Sequence, residues 1–250
     1  MENKIIYFDT LDSTNSKARE LAVTGAESGT VVVAEMQTAG RGRRGRSWES
    51  PAGANIYMSV LLKPDLEPSK APMLTLVMAY SVSKVLKAEG IEGVQIKWPN
   101  DLVISGKKIC GILTEMELDG MQIAHVIVGV GINVNLSTFP AELVDKATSL
   151  SKECGKEWNH KELIEKITVQ FAKDYERFLE MESLAFLKEE YNAILANREN
   201  QVRVLEPGNG YEAFALGIND LGELLVEKQD GSREAVFAGE VSVRGIYGYV

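Results

Sequence analysis

The 250-residue chain is short of cysteine and histidine, with two of each, and of basic charge, at a formal net charge of −9. It also has no apolar stretch near the ~20 residues that a membrane span needs. Each shortage excludes something. Cys110 and Cys154 cannot form a disulfide framework and point to a reducing compartment, so a cytoplasmic location is expected. Cys110 lies in an apolar run and reads as a packed small side chain, not a nucleophile. His125 falls inside an expected strand and His160 at an expected helix start, so core and cap roles are assigned to them and no catalytic one. The acidic balance, with an isoelectric point near 5.0, argues against a general nucleic-acid or membrane-surface binder. What remains is the composition of an ordinary globular protein, 45% hydrophobic and 25% charged, long enough for one large domain or one plus a small one.

Against that acidic background stands "AEMQTAGRGRRGRSW", where Arg41, Arg43, Arg44 and Arg46 surround Gly40, Gly42 and Gly45. The glycines spell G-x-G-x-x-G after an apolar strand, the spacing of a dinucleotide-binding loop. That reading requires a helix next. Pro51 and Gly53 follow instead, then another strand, so it is rejected. Arginine-glycine nucleic-acid segments are longer, repetitive and set in basic chains. A purely solvated loop would not crowd four like charges into six residues. An anion site for a small ligand is left, because glycines let backbone close over it and arginines offer bidentate donors.

The rest of the chain reads as alternating elements. "NKIIYFD" is a strand and a helix starts near Ser13–Asn15. Gly29 to Glu35 and Asn55 to Pro64 are continuous apolar runs, hence buried strands. Ser69 is expected to cap a helix that Gly90 stops. "VQIKWPND" is a strand running into a turn at Pro99. Ile109 to Asn135 reads as a hairpin about Asp119-Gly120. Within it "GVGINVN" places two glycines in a strand, a sign of close approach by backbone or ligand. Asn159 with Glu162 opens a further helix, and helical pattern continues to about Ile194. From Arg198 the helical period disappears and short strands ("QVRVLE", "YEAFALGI", "ELLVEK", "EAVFAGEVSVRG") alternate with turns. A small β-barrel of roughly 50 residues is expected there, giving domains 1–196 and 197–250.

Taken together, "DSTN", "AEMQTAGRGRRGRSW", "SPAGANIYMS", "KWPNDL", "KKICGILTE", "GVGINVN" and "GEVSVRG", in that order over nearly the whole chain, resemble the biotin protein ligases. The first strand begins within a few residues of Met1, so the form resembled is the one without an N-terminal DNA-binding domain. The resemblance implies an α/β (α+β) fold: a mixed-sheet catalytic domain of the biotin/lipoate ligase type and a small C-terminal SH3-like β-barrel. It implies that biotin and ATP, with Mg²⁺, give biotinyl-5′-AMP, and that biotin then passes to a lysine on the biotin carboxyl carrier domain of a biotin-dependent carboxylase. Neither nucleic acid nor membrane is an implied partner, and a homodimer is left open. By resemblance, Lys97, Arg41 and Arg43 are catalytic. Ser13, Thr14, Asn15, Gln37, Arg41, Gly42, Arg43, Lys97 and Gly111 would bind biotin. Arg43, Arg46, Trp48, Lys97 and Asn133 would bind ATP or the adenylate, Trp48 and Asn133 at the adenine. The metal's protein ligands are not assigned, and Arg244 is a candidate contact from the barrel. Because an acyl-adenylate hydrolyses in water, residues 40–48 are expected to be mobile without ligand and ordered over it. The alternatives are a lipoate- or octanoate-attaching enzyme of the related group and a non-catalytic biotin or adenylate sensor.

Overall fold

The computed structural model describes residues 4–206, 209–238, 242–245 and 249. Strand β1 (Lys4–Leu11) and strand β2 (Thr30–Gln37) are parallel, so a crossover must join them, and helix α1 (Thr14–Val23) supplies it. Strands β3 (Asn55–Leu62), β4 (Gln95–Lys97), β5 (Asp101–Ile104), β6 (Lys107–Asp119) and β7 (Gln122–Asn133) complete a seven-stranded sheet in the order β1-β2-β3-β7-β6-β5-β4. Every pairing except β1–β2 is antiparallel.

Both faces of the middle strands are covered, which is why their sequences are continuous apolar runs. Val31, Val33, Val60 and Leu62 pack in the main core with helix α2 (Met73–Ala88) and helix α4 (His160–Met181); the short helix α3 (Leu150–Cys154) precedes α4. Val32, Leu61 and Ile127 face the other way, under Ala18 and Ala22 of α1. Helix α2 does not start at Ser69: residues Pro68–Lys70 form a single 3₁₀ turn and the helix enters at Pro72. The fixed φ of two nearby prolines suits the first turn of a helix and displaces the cap. Gly90, at φ +80°, follows the end of α2. Asn159 caps α4 by accepting from the Lys161 and Glu162 amides, as the sequence indicates.

After helix α5 (Lys188–Ala193) come β8 (Gln201–Glu206), β9 (Asn209–Ile218), β10 (Leu224–Lys228), β11 (Arg233–Val236) and β12 (Ser242–Gly245). They form a separate five-stranded antiparallel sheet, β11-β10-β9-β8-β12. The run "EAVFAGEVSVRG" is therefore two strands on opposite edges, not one; its Gly239, Glu240 and Val241 lie outside the described residues. The two sheets are tied at Trp98, wholly buried, whose indole N–H donates to the Gly222 carbonyl at 2.9 Å.

Candidate active site

One face of the β6–β7 hairpin explains where the site lies. Side chains alternate along a strand, so Ile127, Gly129 and Gly131 share the face that α1 covers. Gly111, Leu113 and Glu115 of β6 stand opposite Gly131, Gly129 and Ile127 respectively. Where α1 begins, glycine replaces aliphatic, and polar groups move in. A Cβ on Gly129 would lie 2.1 Å from Asn15 Oδ1; one on Gly131 would lie 2.6 Å from Trp48 Cε2; one on Gly111 would lie 2.9 Å from Trp48 Cζ3. The close approach read from "GVGINVN" is thus that of Asn15 and Trp48.

The polar groups form a chain over these glycines. Gln37 Oε1 accepts from the Thr14 amide at 2.9 Å and the Thr14 hydroxyl at 3.2 Å, while Gln37 Nε2 donates to Ser50 at 2.9 Å. The Ser59 hydroxyl lies within 2.8 Å of Thr14 Oγ1 and 2.6 Å of Asn15 Oδ1. Asn15 Nδ2 donates to Glu115 at 2.7 Å. The Ser13 side chain makes no capping hydrogen bond to the helix and lines the same space. The arginine loop closes on itself through Gly42 N–H to the Arg46 carbonyl at 2.7 Å and Trp48 N–H to the Gly40 carbonyl at 2.9 Å.

Two cavities adjoin here. The first, a cleft of about 460 Å³ counted with its solvent-open mouth, is lined by Ser13, Thr14, Asn15, Gln37, Arg41 and Gly111 among others. The second, about 650 Å³ counted in the same way, is lined by Arg44, Arg46, Lys97, Asp101, Arg244 and Tyr249 among others. Gly42, Arg43, Trp48, Asn100 and Lys108 line both. Arg43 reaches across the junction, donating to Asn100 Oδ1 and to the Ala238 carbonyl, each at 2.9 Å. Burial lowers its pKa against the pull of Asp101. Trp48 leaves its buried indole N–H with no hydrogen-bond partner among the described residues.

The two lysines differ from what the sequence suggested. Lys97 is only 5% exposed. Its ammonium donates to the Val243 carbonyl at 3.0 Å and sits 4.4 Å from the centroid of the Tyr249 ring. Burial lowers its pKa to about 8, opposed by Asp101, with Lys108, Arg244 and Arg43 adding to the fall. Lys97 therefore lines only the second cavity and ties the seven-stranded sheet to the C-terminal segment. Lys108, given no role in the sequence reading, is the lysine at the junction. It lies 2.6 Å from Asp101 Oδ1 and 5.1 Å from the centroid of the Trp48 ring. Burial by itself would raise the Asp101 pKa, but Lys108 and Lys97 outweigh it and hold the carboxyl below its usual range. The Tyr249 hydroxyl donates to the other Asp101 oxygen at 2.5 Å.

Asn133 is not brought into either cavity: it is buried at the far end of β7, where its amide donates to the Thr148 carbonyl at 3.1 Å. Arg41 lines the first cavity but is paired with Glu115 at 3.1 Å. His125 is buried in β7, and His160 lies 3.2 Å from the Asn135 amide. Cys110 is fully buried and its thiol pKa is raised by burial.

Residues 7–133 match the model of the biotin/lipoate A/B protein ligase family, and residues 199–244 match the biotin protein ligase C-terminal domain. The chain is 41% identical over 249 residues to the bifunctional ligase/repressor BirA of Bacillus subtilis, covering 97% of this chain and 75% of that protein. It is 30% identical over 239 residues to the biotin–[acetyl-CoA-carboxylase] ligase of Paracoccus denitrificans, covering 94% and 98%. Among solved structures, a biotin protein ligase from Aquifex aeolicus in complex with biotin and ATP superposes with a TM-score of 0.84 at 31% identity, covering 98% of this chain and all of the other.

Proposed function

From the premise that the chain belongs to the biotin/lipoate A/B protein ligase family, with that family's biotin-ligase C-terminal domain, we propose how its own residues carry the reaction. It is an ATP-dependent, AMP-forming biotin–protein ligase. The biotin carboxylate attacks the α-phosphate of ATP, giving biotinyl-5′-AMP and pyrophosphate. A carrier lysine then attacks the acyl carbon and AMP leaves. The α/β fold is a mixed-sheet catalytic part and a small C-terminal β-sheet part, and we set the boundary between residues 196 and 197.

The observation that carries the assignment is the pair of abutting cavities joined at Arg43 and Lys108. Two anions repel unless fixed positive charge lies between them. We assign biotin to the first cavity. Its uncharged head group would lie toward Ser13, Thr14, Asn15 and Gln37, and its carboxylate toward the junction with Gly42 and Gly111. ATP occupies the second cavity, its phosphates against Arg43 and Arg46, with Arg244 on the same wall. Lys108 meets the charge that develops where carboxylate and α-phosphate combine. Lys97 acts through position, since its ammonium is buried against Val243 and Tyr249. Trp48 lies between the two ligands, and its unpartnered indole N–H is available to the adenylate. Asn133 takes no part in this assignment, because its amide is committed to Thr148.

Mg²⁺ enters as part of the MgATP substrate. Among the described residues no cluster of three or more His, Cys, Asp or Glu side chains could hold a metal. Asp101, the one carboxylate among the described residues lining the second cavity, is already paired with Lys108 and Tyr249. The acceptor is the carrier domain of a biotin-dependent carboxylase. No described helix is long and apolar enough to cross a membrane; the two free cysteines suit a reducing compartment such as the cytoplasm.

The test is product analysis. With biotin and ATP the chain should form biotinyl-5′-AMP, detected by mass spectrometry, and release AMP when a carrier domain is added. Formation with lipoate or octanoate in place of biotin would move the assignment to the lipoate branch. Adenylate formation without transfer to any carrier would make it a sensor.

A further inference from the structure

We propose that Glu115 is a positioning residue for the head-group end of the first cavity. It locks Asn15 in one amide orientation and holds Arg41 as a clasp, so that Arg41 is not among the cations that meet the carboxylate. The inference rests on the assignment of biotin to that cavity and adds a residue and a division of labour to it.

The Glu115 carboxylate is shared. Oε2 accepts from Asn15 Nδ2 at 2.7 Å and lies 3.1 Å from Arg41 Nη2, while Oε1 lies 3.4 Å from Arg19 Nη2. These partners come from α1 and from the arginine loop. Asn15 has little freedom left. It is 4% exposed, sits over Gly129, and its Oδ1 accepts from Ser59 at 2.6 Å while its Nδ2 faces Glu115. Neither a carboxylate nor a carbonyl can donate, so Glu115 at 2.7 Å, with the Leu113 carbonyl behind it at 3.4 Å, permits one flip state of the amide. That in turn orders Ser59, Thr14 and Gln37, the other polar groups of the cavity.

Arg41 follows from the same carboxylate. The Arg41 ion pair lies at the end of the cavity marked by Asn15, away from the Arg43–Lys108 junction. A guanidinium committed there fastens the first turn of the loop and neutralises Glu115 beside an uncharged ligand group. The loop arginines then divide: Arg41 holds the head-group end, and Arg43 serves the anions.

Pyrophosphate exchange tests this, with the KM for biotin and for ATP measured separately in wild type, Glu115→Ala, Glu115→Gln, Arg41→Ala and the Arg41→Ala/Glu115→Ala double variant. Loss of hydrogen bonds to a charged group should raise the biotin KM of Glu115→Ala about tenfold. The ATP KM and kcat should stay within about twofold. Glu115→Gln, which keeps an acceptor for Asn15 but loses the ion pairs, should fall between, near threefold. Because the two residues act as a unit, the double variant should be no worse than the worse single one. Multiplying effects in the double variant, or a fall in kcat at unchanged biotin KM, would overturn the proposal. Should Glu115→Ala not fold, the same cycle run with Glu115→Gln decides between these outcomes. Wild type without biotin-dependent exchange would overturn the underlying assignment, and this proposal with it; intact wild-type exchange with a failed cycle would overturn this proposal alone.

Discussion

Replacing Gly131 by alanine adds one methyl group against Trp48, a side chain that lines both cavities. The new Cβ would lie 2.6 Å from Trp48 Cε2, 2.7 Å from Nε1 and 2.9 Å from Cζ2, against about 3.5–4.0 Å for an ordinary carbon contact. The indole must therefore move by roughly 1 Å or leave its place, since overpacking of this kind costs about 1–3 kcal/mol if nothing yields. Trp48 can yield, because it is carried by a loop and not by the sheet. It would lose its contact with Lys108, worth about 0.5–1 kcal/mol. The expected result is a thermal unfolding midpoint within a few degrees of wild type, with KM for both biotin and ATP raised about two- to fivefold in pyrophosphate exchange. Gly129→Ala is the control. Its Cβ meets Asn15 Oδ1 at 2.1 Å, and Asn15 is buried among Ser59, Glu115 and the Leu113 carbonyl. It cannot swing out, so that variant should lose more stability. Gly131→Ala with wild-type KM values for both substrates would refute the reasoning.

Two further outcomes follow from the second cavity. The Lys97 pKa is lowered by burial to about 8 from 10.5, so between those values the unfolded chain binds more protons and stability should rise with pH. In Lys97→Met that rise between pH 8 and 10.5 should be reduced; an unchanged slope in chemical denaturation curves would contradict the burial of the charge. Tyr249→Phe keeps the ring over Lys97 and removes the hydroxyl that donates to Asp101. It should leave the biotin KM unchanged and shift the ATP KM by at most about ten- to a hundredfold, since a hydrogen bond to a charged group contributes about 1.5–3 kcal/mol at most. A change confined to biotin would place Tyr249 elsewhere.

Much of the fold is legible where one physical cause dominates. Burial on both faces makes "TVVVA" and "NIYMSVLL" unbroken apolar runs, and Asn159 with Glu162 marks a helix start because both bond to the same turn. The glycines of "GVG" announce a close approach but not what approaches: Asn15 and Trp48 are 114 and 83 residues away from their partners Gly129 and Gly131 along the chain. The cation at the junction was not legible. Lys107 and Lys108 are adjacent, and only the strand alternation and the pairing with Asp101 turn one of them inward. In the sequence Lys97 is the better candidate because it ends an apolar strand; the groups that cover it, Val243 and Tyr249, come from the far end of the chain. Ser69 misleads for a local reason, two prolines taking over the helix start.

The most direct test of the account is biotin-dependent exchange of labelled pyrophosphate into ATP for wild type, Lys108→Met and Lys97→Met. Removing the cation that stabilises developing charge should cost ~10²–10³ in rate, so Lys108→Met should lose exchange by that factor, while Lys97→Met, which removes a strut, should lose less than about tenfold. Lys97→Met without exchange beside Lys108→Met near the wild-type rate would contradict the account.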